Sequence, residues 1–400
     1  MDPATQKSPD TTQQLENTNM DDGFDTWHAP EDSDKPRLPY IPGFSIQISR
    51  HKPPPSFATD EEPADPGYQE RAPLSEAYLR SVTHTEAVVA NPPEEGTPIH
   101  PSQAETAQLV LTSPIAIGSA RGAQIVVCTV TPQNGDPFTA TAKIYDPLYY
   151  NFERDIGHSP RDCVSEADEH YIVEAWAYES LKKAGYTGSF TPEYYGSWTF
   201  TLPIVLKGSS TTRPIRLILI ERLHGISIEA SRIQNNYKRG GGKDAFHYPE
   251  EYRLEVLARA LDGYVRQAEA GVVQRDFAGR NVLLVPDENP TDQSERISGL
   301  LMPRIVLIDY NNASIKHLSP DTKDRRPENP AWAFWSRYLW EDMAGWVPNT
   351  WRDDKVQQEW MFKRFCGPDR IDSYRPVPEW MKRLAEQKDS GALGDDTWSA

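Results

Sequence analysis

From about residue 107 the apolar and polar positions alternate with a period of two. AQLVLTSPIAIGSARGAQIVVCTVTPQ alternates around a glycine-containing turn, and PFTATAKIYDP adds a further short segment of the same kind. Period-two alternation rich in β-branched residues predicts three consecutive strands. A helix is predicted next over EADEHYIVEAWAYESLKKAG, with Ser165 and Asp168 as a capping pair and Gly185 as its stop. Strands around YYGSWTF and RLILIERL then complete a five-stranded sheet with one helix. In PEEYRLEVLARALDGYVRQAEAG the period changes to that of a helix, with Val256, Leu257, Ala260, Leu261, Tyr264, Val265 and Ala268 on one stripe. After Gly271 come the short apolar runs VVQRD, NVLLV and RIVLID, with a polar insertion at about 286–303. The remainder is helical in tendency and holds seven of the eleven tryptophans, between Trp332 and Trp380, which read as core.

Residues 1–105 break this pattern. They carry 19 acidic against 7 basic side chains, a net charge of −12 out of −17 for the chain, and 16 of the 35 prolines lie in the first 101 residues. Such a segment buries little apolar surface against its chain entropy, so it is expected to be a disordered acidic extension, with a short helix around LSEAYLRSV (74–82) as the exception. The acidity argues against nucleic acid or an anionic membrane as a partner. Cys128, Cys163 and Cys366 have no metal-ligand spacing and suggest no disulfide framework. The nine histidines, His224 among them, suggest no cluster. No apolar run approaches the roughly 20 residues that span a bilayer, and the start lacks a secretory signal, so an intracellular, cytoplasmic or nuclear protein is expected.

Four polar residues in the predicted sheet and the segments after it carry candidate chemistry. In A-K-I-Y, Lys143 sits mid-strand between apolar neighbours. In QRDFAGRN, Asp276 and Asn281 are five apart on a loop, and in VLIDYNN, Asp309 ends an apolar strand. A cation, a carboxylate and an amide for a metal, and a carboxylate near an accepting hydroxyl are what phosphoryl transfer requires. Each signal alone has a bland reading as a surface lysine, a turn or a cap; their order along the chain carries the weight. Over roughly 110–320 the set resembles protein kinases and the related aminoglycoside and choline phosphotransferases. The segment WAFWSRYLWEDMAGWVPNTW further resembles small kinase-like proteins of filamentous fungi.

The resemblance implies an α+β, two-lobed protein-kinase-like fold. The N-lobe (106–222) would be a five-stranded antiparallel sheet plus helix, the C-lobe (223–386) mainly helical, and 387–400 a flexible tail. It implies ATP and Mg²⁺ as cofactors. Lys143 resembles the lysine that pairs the phosphates, Asp276 the catalytic-loop Asp, Asn281 and Asp309 the metal ligands, and Glu174 the helix glutamate that fixes the lysine. Glu174 shares a helix face with Tyr178 and Leu181, whereas Glu179 lies on another and Glu166 and Glu169 are nearer the helix start. IERLHG (220–225), with Glu221 and Leu223, resembles the hinge that binds adenine through backbone groups. Gly118 and Gly122 stand in the phosphate loop, where the family has three glycines, and Gln274 and Asp309-Tyr-Asn depart from the family's His and D-F-G. RPEN (326–329) lies close behind Asp309, which implies little or no activation loop. The expected function is an ATP- and Mg²⁺-dependent phosphotransferase acting on a hydroxyl of a protein or small molecule. The alternative is a pseudokinase that binds nucleotide or scaffolds partners.

Overall fold

The computed structural model describes residues 27–55, 71–100, 104–119, 121–154, 158–234, 242–316 and 326–383. Six strands form a closed antiparallel barrel: β1 (Ser45–Arg50), β2 (Thr106–Ala116), β3 (Gln124–Pro132), β4 (Phe138–Tyr145), β5 (Tyr194–Leu206) and β6 (Ser209–Glu221), in the order β1-β2-β3-β4-β6-β5. The expected sheet had five strands, and β1 is the sixth. It pairs with β2 from Ser45↔Val110 to Ser49↔Thr106 and with β5 at Ser49↔Thr199 and Arg50↔Trp198, which closes the barrel.

The expectation of a disordered extension over 1–105 is corrected by the described part of that segment. Besides β1 it holds α1 (Glu76–Ser81) and α2 (His84–Ala90), the latter opened by a Thr83–Glu86 capping box. The physical reason is burial. Tyr40, Ile48, Leu79, Ala87 and Val88 are buried in the same core as Leu109, Val126, Ile144 and Leu217 of the barrel. Tyr40 also donates its hydroxyl to Asp146 at 2.5 Å, and Arg213 pairs with the same buried carboxylate. The composition of the whole segment concealed this anchoring. Residues 1–26 and 56–70, and the tail 387–400, lie outside the described residues.

Between β4 and β5 runs α3 (Cys163–Lys183), 21 residues long. It begins earlier than the Ser165 cap anticipated. Asp162 is the N-cap, accepting from the Ser165 N–H at 3.0 Å, so Ser165 is already inside the first turn. Gly185 follows its end at φ +76°, a backbone state that glycine adopts freely.

A second body follows β6. It opens with β7 (Ile226–Ser227) and the pair β8 (Ile233–Gln234) and β9 (Lys243–Asp244), followed by α4 (Glu250–Glu269). Of the expected α4 stripe, Val256, Leu257, Ala260, Leu261 and Val265 are buried. Next come β10 (Val272–Val273), β11 (Val282–Val285), the hairpin β12 (Arg296–Ile297) and β13 (Leu300–Leu301), β14 (Arg304–Leu307) and β15 (Ser314–Ile315). β11 lies between β14 and β7, and β10 pairs with β15. Short helices α5 (Pro330–Ala333) and α6 (Leu339–Asp342) and the longer α7 (Asp354–Phe365) complete it. Trp346 and Trp351 are buried in the core that α4 shares with α3, while Trp332 and Trp380 are partly exposed. No helix among the described residues is long and apolar enough to cross a membrane.

Candidate functional site

Lys143 sits third from the end of β4, paired with Ile125 on one side and Ile218 on the other. Its stem is therefore packed, and its ammonium emerges where α3 and the β14 end converge. Nζ donates to both oxygens of Glu174, at 2.7 and 2.5 Å, and to Asp309 Oδ1 at 3.0 Å. Glu174 is wholly buried, and it also accepts from the Tyr145 hydroxyl at 2.6 Å and the Tyr310 N–H at 3.4 Å. Tyr145 was not anticipated, although it stands two residues after Lys143 and so on the same strand face.

The electrostatics follow from this packing. Burial disfavours the Lys143 charge, but Asp309 and Glu174 outweigh it and hold the ammonium above its usual range. Lys143 in turn keeps the Asp309 carboxyl below its ordinary value, against the effect of burial. Burial pushes the Glu174 carboxyl upward, with Lys143 pulling the other way. His170, on the same helix, is driven down to about 4 by burial and then by the Lys143 charge, so it is neutral at physiological pH.

Asp309 has a left-handed backbone, φ +67°, which aspartate tolerates better than most residues. Ile308 N–H donates to Asn281 O at 3.0 Å, and Gln274 donates to the carbonyls of Ile308 and, at 3.3 Å, of Asp309. Gln274 therefore supports the backbone that aims Asp309. Asn281 uses its amide hydrogens on Asp276, bonding the backbone carbonyl and Oδ2 at 2.9 Å each. Its amide oxygen remains for another partner. Asp276 Oδ1 is paired with Arg280, four residues on, whose side chain is largely exposed.

Asn281 and Asp276 line two different cavities. The first, about 350 Å³ and mostly apolar, is lined by Lys143, Glu174, Asn281 and Asp309, with Ile115, Ile125 and Ile220 above and Leu283 and Ile308 below. Glu221, Leu223 and Gly225 line its edge. The Glu221 side chain is engaged elsewhere, in a two-pronged pair with Arg304 at 3.0 and 2.7 Å. The second cavity, about 640 Å³ and far more polar, is lined by Asp276, Arg275, Arg280, Asp168 and Asn311, and also by Arg71 and Glu94. Arg71 and Glu94 belong to the front segment, which no sequence pattern placed here. Asp168 is linked to both, accepting the Glu94 N–H at 3.0 Å and lying 3.6 Å from the Arg71 guanidinium.

Gly118 and Gly122 lie on the β2–β3 turn and do not line the first cavity. The buried Gln124 side chain spans that turn, accepting from Gly118 N–H at 2.8 Å and donating to Gly118 O at 3.0 Å and Gly122 O at 3.3 Å. Asn329 of RPEN caps α5, while 317–325, where an activation loop would run, lie outside the described residues.

The donor set suits a hard cation: a carboxylate (Asp309) and an amide oxygen (Asn281), both oxygen ligands, at the mouth of a cavity that also holds one ammonium. No protein-family profile matches the chain, and no curated protein matches it. Among solved structures it is similar to WaaP in complex with acyl carrier protein, at 17% identity over 69% of this chain and 89% of that one, with a TM-score of 0.32. So low a score carries no weight for the site.

Proposed function

We propose that this chain is an ATP- and Mg²⁺-dependent phosphotransferase of the two-lobed protein-kinase-like fold, moving the γ-phosphoryl group to a hydroxyl of a protein or small molecule. The observation that carries the reading is the 2.9 Å bond from Asn281, in the lining of one cavity, to Asp276, in the lining of the other. Lys143, Asn281 and Asp309 line the apolar one, where a base and phosphates would lie, and Asp276, bonded to Asn281, lines the polar one, where an acceptor would enter. Asp276 then orients the hydroxyl and takes its proton, and Lys143 holds phosphate oxygens. Asn281 and Asp309 would hold Mg²⁺, which neutralises charge on the phosphates when bound. Glu174 keeps Lys143 extended into the cavity.

The pairing of Asp276 with Arg280 favours a second reading. A guanidinium seated on the base would leave a nucleotide-binding module without turnover. The test is thermal melting of the full chain with ATP, with and without Mg²⁺, beside Asp309→Asn. A ligand confined to the folded state raises the melting temperature by mass action. A Mg²⁺-dependent rise that is lost in Asp309→Asn is expected; no rise at millimolar ATP would overturn both readings. ADP formation by the binding-competent chain separates the transferase from the silent module.

A further inference from the structure

Apart from the cleft residues, a second group of side chains converges on one point. His28, Glu153 and His158 each offer one ligand atom, and these atoms all lie within 4.8 Å of one another. Glu153 Oε1 is the focus, 3.0 Å from His28 Nδ1 and 2.9 Å from His158 Nδ1. The two rings stand edge to face with centroids 5.0 Å apart. The other carboxylate oxygen accepts the Ala29 N–H at 3.0 Å, which stops Glu153 from turning away. Glu153 and His158 are held near each other because Glu153 bridges to Pro160 and Arg154 N–H donates to Ser159 O at 2.9 Å. Trp27 packs edge-on against Phe152 at 5.9 Å and brings His28 to the same place. The sequence suggested no histidine cluster because 125 residues separate His28 from Glu153.

The spacing matters more than the residue types. A tetrahedral ion with bonds of about 2.0–2.2 Å to nitrogen and oxygen has its ligand atoms roughly 3.3 Å apart. The two nitrogen–oxygen separations here are close to that edge and need only a small expansion. Two imidazoles and one carboxylate favour a borderline transition ion over Mg²⁺, which prefers oxygen donors. Binding is chemically balanced: each Nδ1 gives up its hydrogen, a neutral ring moving to the Nε2–H tautomer and a charged ring releasing a proton to solvent.

We propose that His28, Glu153 and His158 form a surface site for a divalent transition cation of the zinc class, with water in the fourth position. The ion clips His28, on the front segment, to the two residues ahead of α3.

The test is calorimetric titration of the metal-free full chain with Zn²⁺ in excess Mg²⁺, followed by melting. One Zn²⁺ per chain and a raised melting temperature are expected. His28→Gln and His158→Asn should each abolish that stoichiometric binding. Asparagine is chosen because His158 sits at φ +42°, which it tolerates. A second measurement does not depend on the variants folding: Co²⁺ bound to the unaltered chain should give tetrahedral nitrogen–oxygen absorption bands. Absence of saturable Zn²⁺ binding, binding retained in both variants, or a thiolate-to-cobalt band would each overturn the site.

Discussion

Replacing Lys143 by methionine isolates the electrostatics of the cleft, because methionine fills much of the space of the lysine stem and the change is then mainly one of charge. Lys143 holds two carboxylates that differ in their surroundings. The Asp309 side chain is 36% exposed and can hydrate when left alone, whereas the Glu174 side chain is 0% exposed. Stripped of Lys143, Glu174 keeps only the Tyr145 hydroxyl and the Tyr310 N–H. Breaking a buried pair from one side costs about 3–5 kcal/mol. Glu174 can escape by taking up a proton, and burial already pushes its carboxyl upward. An acid whose folded value lies above its unfolded one adds stability that is complete below the unfolded value and is lost as pH rises through the folded one. The deficit of Lys143→Met should therefore be the full ~3–5 kcal/mol at about pH 8. Towards about pH 5 it should shrink to roughly 1 kcal/mol, the scale of lost neutral hydrogen bonds. Adding Glu174→Gln removes the stranded charge but keeps an acceptor for Tyr145, so the double variant should recover most of the deficit at about pH 8. Urea unfolding of the full chain at both pH values reads all of this. A deficit independent of pH, or a double variant no more stable than the single one, would refute the argument that Glu174 is a desolvated charge held by Lys143.

Two further changes probe other parts of the arrangement. Asp276→Ala should lower ADP formation at least about a hundredfold, the scale of a lost general base, while the ATP-induced melting shift stays as in the unaltered chain; retained turnover would remove Asp276 from its role. Tyr40→Phe takes one donor from the buried Asp146 carboxylate and should cost about 1–3 kcal/mol in urea unfolding; an unchanged midpoint would show that Tyr40 does not anchor the front segment to the barrel through this bond.

The strands of the barrel that were legible in the sequence were those whose signal is local. β2, β3 and β4 alternate over long stretches, and Lys143 gained its meaning only from its order with Asp276, Asn281 and Asp309 along the chain. β1 alternates too, with Ile46 and Ile48 between Ser45, Gln47 and Ser49, but averaging over an acidic, proline-rich hundred residues hid six that pair. Its partners lie some sixty residues on, at Thr106–Val110, and no local rule reaches that far. The site divides in the same way. Asp276 and Asn281 are five apart and Glu174 lies on a readable helix face, so the structure brings together residues that pattern could name. Arg71 and Glu94 reach the Asp276 cavity through a segment whose path no periodicity encodes. The glycines of the β2–β3 turn show the limit of reading from residue type, since Gln124, an unremarked strand residue, determines what the Gly118 N–H is bonded to.

The front segment also bears on why the cleft holds its geometry. α3 carries Glu174, and a helix that shifted along its axis would separate Glu174 from Lys143. The segment bonds to α3 at several points between its N-cap and Trp176. Leu74 N–H donates to Asp162 at 2.7 Å, Glu94 N–H to Asp168 at 3.0 Å, and Trp176 Nε1 to the Pro54 carbonyl at 2.6 Å. The His51 ring nitrogen lies 2.5 Å from the Tyr171 hydroxyl. These contacts run from the N-cap to two residues beyond Glu174, on three separate turns of one helix. A helix pinned at several turns has a single axial position, so the Glu174 carboxylate meets Lys143 without a conformational search at the moment of binding. That is the physical meaning of preorganisation: the ordering entropy is met in folding rather than in each encounter with a ligand. The same segment closes the barrel through β1 and lines the Asp276 cavity through Arg71 and Glu94. A chain cut at residue 105 would therefore lose a strand, a helix clamp and part of a cavity wall together, and any measurement of the cleft belongs to the full chain.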